Sequence, residues 1–240
     1  MRTFGLIGKN LSHSFSKIFF KEKIIKEQIS NTRYLNFELA EISEFLDLIT
    51  QKNISGLNVT IPYKESIIPY LDELTEDAKN ISAVNTIEFI GEKVIGHNTD
   101  IIGFRKSIIP ILKNRKKAII LGSGGSSKAV QYSLDMLNIE YVIIGRNTPA
   151  SYTDMNSEFI NYYDIIINTT PLGMFPNIKD YPEIPFQFLS NKHLLFDLIY
   201  NPKETLFLKQ GKEQGCSIKN GLEMLQIQAE ASWKIWTNKQ

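Results

Sequence analysis

Short apolar runs alternate with amphipathic stretches along the first hundred residues. Residues 3–7, 34–37 and 54–59 have the length and content of buried strands. Between them lie a segment opening at Ser14, with Phe15, Ile18, Phe19 and Ile25 as its apolar face, and a helical stretch over 42–50. The order strand, helix, strand, helix, strand is that of a parallel-sheet domain. Pro62 can open a further helix at its first turn, continuing through Leu71. Residues 83–90 and 93–96 then read as an antiparallel hairpin with Gly91 in the turn. From Asp100, suited to an N-cap, a helix runs through Phe104 and Ile108 to Pro110.

The pattern changes character at Lys116. A buried-strand run over 118–121 passes directly into Gly122-Ser123-Gly124-Gly125-Ser126-Ser127, then a helix to Leu137 and a second strand over 141–144. Buried strands follow at 164–167 and 194–200, with a last one at 216–218. The closing helix carries Leu222, Leu225, Ala229, Trp233 and Trp236 at helical spacing, a core stripe. Gln228 lies near that stripe, where spacing alone allows an interior polar site or partial exposure.

Composition adds mainly exclusions. The 240 residues are 42% hydrophobic, enough for one large core or two modest ones. With 27 basic and 26 acidic residues and no long single-sign block, nothing points to nucleic acid or an anionic membrane. Cys216 is the only cysteine, which excludes an internal disulfide, and the three histidines do not form a zinc motif, so no metal is expected. The amino terminus lacks a signal-peptide core and no stretch approaches the roughly 18 apolar residues of a membrane span, so the expected compartment is the cytoplasm.

Three polar clusters carry candidate chemistry. Asn58-Val59-Thr60-Ile61-Pro62-Tyr63-Lys64 places an amide, a hydroxyl and an ammonium at the carboxyl end of a strand, where such groups commonly face a crevice. Read in isolation, Lys64 is equally a solvated residue and Asn58 and Thr60 are equally turn formers. The loop after the first strand holds Ser14 and Ser16, which either cap the following helix or donate to a ligand carboxylate at its amino end. The glycine turn sits between a strand and a helix, the setting in which a backbone can approach a pyrophosphate. Its third fingerprint position is Ser127, where Gly or Ala is usual. The strand after the turn ends in Gly145-Arg146-Asn147, with no acidic residue to hold ribose hydroxyls, and an arginine there suits a 2′-phosphate. This favours NADP over NAD.

These motifs, in this order, resemble the shikimate dehydrogenase family over nearly the whole length. The resemblance implies an α/β protein of two domains with a groove between them: a substrate domain of residues 1–100 and 222–240, and a Rossmann doubly wound NADP-binding domain of residues 101–221. It implies reversible reduction of 3-dehydroshikimate to shikimate, with Lys64 and Asp100 as the catalytic pair. Ser14 and Ser16 match the carboxylate-binding serines, and Thr60, Asn85, Tyr200 and Gln228 match further substrate contacts. Gly122, Gly124, Gly125 and Arg146 match the cofactor site, with Thr169, Leu198 and Gly221 along its nicotinamide side. A small-molecule substrate is implied, with the enzyme a monomer or homodimer. A quinate-using relative with NAD, a silent NADP-binding protein and a methylene-tetrahydrofolate dehydrogenase-like enzyme are the alternatives. The last does not explain the serine loop, and pure binding has no need of a proton donor.

Overall fold

The computed structural model describes residues 1–12, 14–51, 53–145 and 148–237. It divides into two compact units, Met1–Thr99 with Gln228–Gln240, and Asp100–Ile227.

The first unit runs β1 (Arg2–Gly8), α1 (Phe15–Lys26), β2 (Thr32–Glu38), α2 (Glu44–Gln51), β3 (Ile54–Val59), β4 (Glu73–Leu74), α3 (Glu76–Ile81), β5 (Thr86–Ile90) and β6 (Lys93–His97). Among the described residues its sheet has the order β2-β1-β3-β5-β6-β4. The strands β1, β2 and β3 are parallel, whereas β5 is antiparallel to β3 and forms the hairpin with β6. Gly91 takes the positive φ that the hairpin turn requires.

Period-two alternation distributes this sheet's side chains between two cores. Ile7, Leu57, Val59 and Ile87 pack with Phe45 and Leu48 of α2 on one face. On the other, Phe4, Leu6 and Tyr34 pack with Phe20 of α1 and with Ala229, Trp233 and Trp236. Those last three belong to α8 (Leu222–Thr237). Trp236 stacks on Phe4 with ring centroids 5.1 Å apart and donates its Nε1–H to the Ile87 carbonyl at 2.9 Å. Gly56 gives the indole its seat, since a Cβ there would run into the ring.

The second unit runs α4 (Asp100–Leu112), β7 (Lys117–Leu121), α5 (Gly125–Met136), β8 (Glu140–Ile144), α6 (Ser157–Tyr162), β9 (Ile165–Asn168), β10 (Leu194–Asp197), α7 (Leu206–Glu213) and β11 (Ser217–Lys219). Its sheet is parallel, in the order β11-β10-β9-β7-β8. The order reverses at β7, which makes the fold doubly wound and opens the crevice at the carboxyl end of that strand. Ala118, Ile120, Ile165, Ile167, Leu194 and Phe196 face α4 and α5, and Ile119, Leu121, Ile166 and Leu195 face α6 and α7. The division between the units falls inside α8 because Met224 packs into the core of the second unit.

Three expectations differ from this structure. The segment after Pro62 is a series of turns ending in a short 3₁₀ turn, Ile68–Tyr70, and not a regular helix. Pro69 lies within it and could neither donate the next helical bond nor clear the preceding turn. In α1, Ile18 and Ile25 are exposed, and Phe20, with Phe19 and Ile24 beside it, enters the core instead. Helix α4 passes Pro110 and ends at Leu112, because Ile111 and Leu112 still pack on the core, and Asp100 is its first residue and not its N-cap.

Two measurements test this packing. Trp236→Ala removes the indole from Phe4, Phe20 and Gly56 together, and urea unfolding should show a loss of about 3–5 kcal/mol. The second concerns Asp197, buried at the end of β10, which accepts from Thr205 Oγ1 at 2.5 Å, Asn168 Nδ2 at 3.0 Å and the Ile199 N–H at 3.0 Å. Burial pushes its carboxyl up to about 6, although the three donors pull the other way. The native state then holds this proton more tightly than the unfolded chain, so stability is lost as pH rises from about 4 to about 6. Relative to wild type, Asp197→Asn should gain unfolding free energy across that window and level off above it; a difference constant with pH would refute the assignment.

Candidate active site

In the first unit the candidate residues gather where β1 and β3 end. The Thr60 N–H donates to the Ile7 carbonyl at 3.0 Å, which ties the loop after β3 to β1. Gly8 sits between the two loops, since a Cβ on it would lie 2.7 Å from both the Leu11 and the Thr60 side chains. Ser14 caps α1, its Oγ accepting from the Lys17 N–H at 3.4 Å, so the capping reading of this serine is realised. The Tyr34 hydroxyl, beside that loop, donates to Asn58 Oδ1 at 2.8 Å. Burial holds the Tyr34 hydroxyl well above the usual tyrosine range, which keeps it a donor at neutral pH.

Lys64 is half-buried in the turns after Pro62. Its backbone carbonyl accepts from the Val84 N–H at 2.7 Å, so the lysine is anchored next to the segment that carries Asn85. Asn85 is buried, with Oδ1 accepting from the Thr99 N–H at 2.7 Å and Nδ2 reaching Thr99 Oγ1 at 2.9 Å and Gln228 Oε1 at 3.3 Å. Of the two orientations open to Gln228, the structure has the interior one. Asp100 is buried and directly follows Thr99 in the chain.

Behind these residues lies a polar cluster that sequence reasoning missed. Asn58 Nδ2 reaches the Asn85 carbonyl at 3.2 Å, Thr86 Oγ1 at 3.3 Å and Ser232 Oγ at 3.0 Å, while Thr86 and Ser232 lie 2.7 Å apart. One signal was present: Ser232 follows Gln228 by four residues, and such pairs share a helix face.

In the second unit the glycine turn sits at the carboxyl end of β7, at the reversal of strand order. Gly122 has φ +108°, and a Cβ on it would meet Thr169 Oγ1 at 2.7 Å. Thr169 donates that hydroxyl to the Leu121 carbonyl at 2.7 Å. Gly124 caps α5 and has open space where a Cβ would be, and Gly125 begins the helix. Ser127 is fully buried and donates to the Gly122 carbonyl at 2.8 Å, so the unusual third position braces the turn. A helix start beside open glycine backbone suits a pyrophosphate.

Leu198 and Gly221 meet along the same edge. The Gly221 N–H donates to the Ile199 carbonyl at 3.0 Å, and any side chain at 221 would strike the Leu198 carbonyl. Tyr200 follows, half-buried. Arg146 lies outside the described residues.

Comparison with known proteins identifies the family. A family model described as the shikimate dehydrogenase substrate binding domain matches residues 6–87. The shikimate dehydrogenase (NADP(+)) of Methanococcus aeolicus is 41% identical over 255 residues, covering 97% of this chain and 91% of the relative. The crystal structure of shikimate dehydrogenase 1 from Peptoclostridium difficile matches with a TM-score of 0.89 and 37% identity, covering 100% of this chain and 93% of that one. A crystal structure of a shikimate dehydrogenase in complex with NADP+ matches with a TM-score of 0.87 and 34% identity, over 100% of this chain and 91% of that one. The chain belongs to the shikimate dehydrogenase family.

Proposed function

We propose that this protein catalyses the reversible NADPH-dependent reduction of 3-dehydroshikimate to shikimate. The observation that carries the reading is the convergence, in the first unit, of the Thr60–Lys64 turns, the Ser14–Ser16 loop and the Asn85–Gln228 pair on the ends of β1 and β3. A hydroxylated ring bearing one carboxylate calls for such a set: hydroxyl donors for the carboxylate, amides for the ring hydroxyls and an ammonium for proton transfer.

Ser14 and Ser16 bind the carboxylate. Thr60, Asn85, Tyr200 and Gln228 contact the ring substituents. Lys64 donates the proton that the developing alkoxide requires, and Asp100 is its catalytic partner. Gly122, Gly124 and Gly125 receive the pyrophosphate, Arg146 the 2′-phosphate, and Thr169, Leu198 and Gly221 border the nicotinamide. NADPH supplies the hydride when bound. Gly221 fits its part because the backbone there already approaches Leu198 more closely than any side chain would permit.

Purified protein should reduce NADP with shikimate faster than with quinate, and faster with NADP than with NAD. No turnover in any of the four combinations would leave only the fold. Lys64→Ala should lower kcat by about 10²- to 10⁴-fold, while calorimetry still detects shikimate binding. Near-normal turnover in that variant would remove Lys64 from the mechanism. Arg146→Ala should raise KM for NADP while leaving KM for NAD nearly unchanged, and equal effects on both would refute the 2′-phosphate role.

A further inference from the structure

The strand β2 supplies no residue to the site, yet one of its faces holds the serine loop at two points. Asn36 and Glu38 share that face by the period of two. Asn36 Nδ2 donates to the Leu11 carbonyl at 2.8 Å, and Glu38 Oε1 accepts from the Leu11 N–H at 2.8 Å. Both backbone groups of Leu11 are therefore fixed by side chains of the neighbouring strand.

The Leu11 carbonyl has a second donor, the Ser14 N–H at 3.1 Å. Asn36 and Ser14 thus share one acceptor, and the position of that carbonyl sets where Ser14 begins α1. Burial of the Leu11 side chain among Phe4, Leu6 and Phe20 fixes where this residue lies. It does not fix how the peptide planes on either side of Leu11 are turned, which is what aims the loop.

We propose that Asn36 and Glu38 are positioning residues that aim the Ser14–Ser16 loop and thereby set the affinity for the substrate carboxylate. This rests on the functional reading given above. Neither residue touches the reacting atoms, so their loss acts on substrate binding and not on the chemical step.

The test uses full-length Asn36→Asp, Glu38→Ala and Glu38→Gln proteins. Asn36→Asp keeps the shape but turns an acceptor toward the Leu11 carbonyl, and Glu38→Ala removes the acceptor for the Leu11 N–H. Each should raise KM for shikimate about tenfold, the size of one hydrogen bond, with kcat and KM for NADP within about twofold of wild type. Glu38→Gln keeps an acceptor oxygen and should restore KM. Hydrogen exchange at the Leu11 and Ser14 amides should accelerate in Asn36→Asp and Glu38→Ala and not in Glu38→Gln. A lowered thermal midpoint with unchanged KM and unchanged exchange would make the contacts merely structural and overturn the proposal. A parallel fall in kcat would overturn it as well. Wild-type protein that turns over no shikimate overturns the functional reading and the affinity half of this proposal, while the exchange rates still decide whether the clamp exists.

Discussion

Asn58 is buried at the end of β3, and each polar atom of its side chain must find a protein partner there. The partners come from separate parts of the first unit: Tyr34 from β2, the Asn85 carbonyl and Thr86 from the start of β5, and Ser232 from α8. A shift of any one of these elements would leave a buried donor or acceptor unmade. That penalty is larger than the net worth of a satisfied hydrogen bond, so the cluster works chiefly as a constraint on register. Thr60 follows Asn58 by two residues and Asn85 precedes Thr86, so the register that satisfies Asn58 also sets both candidate substrate contacts.

The second unit solves a different problem with the same means. A turn with open backbone cannot be filled by side chains, and φ +108° at position 122 would strain any residue but glycine. Its order comes from behind: Thr169 donates to the Leu121 carbonyl and Ser127 to the Gly122 carbonyl. Among the described residues, nothing occupies the space where a Gly124 Cβ would lie. The turn is braced on its protein side by these two bonds.

Much of this was legible in the sequence where the signal is local. The apolar run over 54–59, the hairpin around Gly91 and the strand–glycine turn–helix unit at 118–137 are each declared by a single continuous stretch of sequence. The periodic reading failed where the competition is between faces of one helix. In α1 the row Phe20–Ile24 is as apolar as the row containing Ile18 and Ile25, and the aromatic rings of Tyr34, Trp233 and Trp236 around Phe20 decide between them. The six-residue helices α3 and α6 are too short to show a period. The polar cluster was hidden for another reason: apart from the spacing of Ser232 from Gln228, its members Asn58, Thr86, Thr99 and Ser232 are linked only across separations of up to 174 residues. Arg146, the residue on which the NADP reading most depends in the sequence, lies outside the described residues.

The segment that carries Lys64 shows why a candidate site residue need not sit on a regular element. Ordinarily a loop is the least constrained part of a fold. Here the Tyr63 N–H closes on the Thr60 carbonyl and the Ile67 N–H on the Tyr63 carbonyl, while the Tyr63 hydroxyl donates to the Leu39 and Ala40 carbonyls at 2.7 and 2.9 Å. The Lys64 carbonyl is held by Val84 on the far side. The lysine is therefore flanked by a buried aromatic anchored on the β2–α2 connection and by a bond to the segment leading into β5. A helix would have satisfied these backbone groups internally and left the orientation of Lys64 to its packing alone. Turns leave the Lys64 carbonyl to be satisfied from outside, here by the segment leading into β5, and in doing so fix the lysine to the same frame as Asn85 and Thr60.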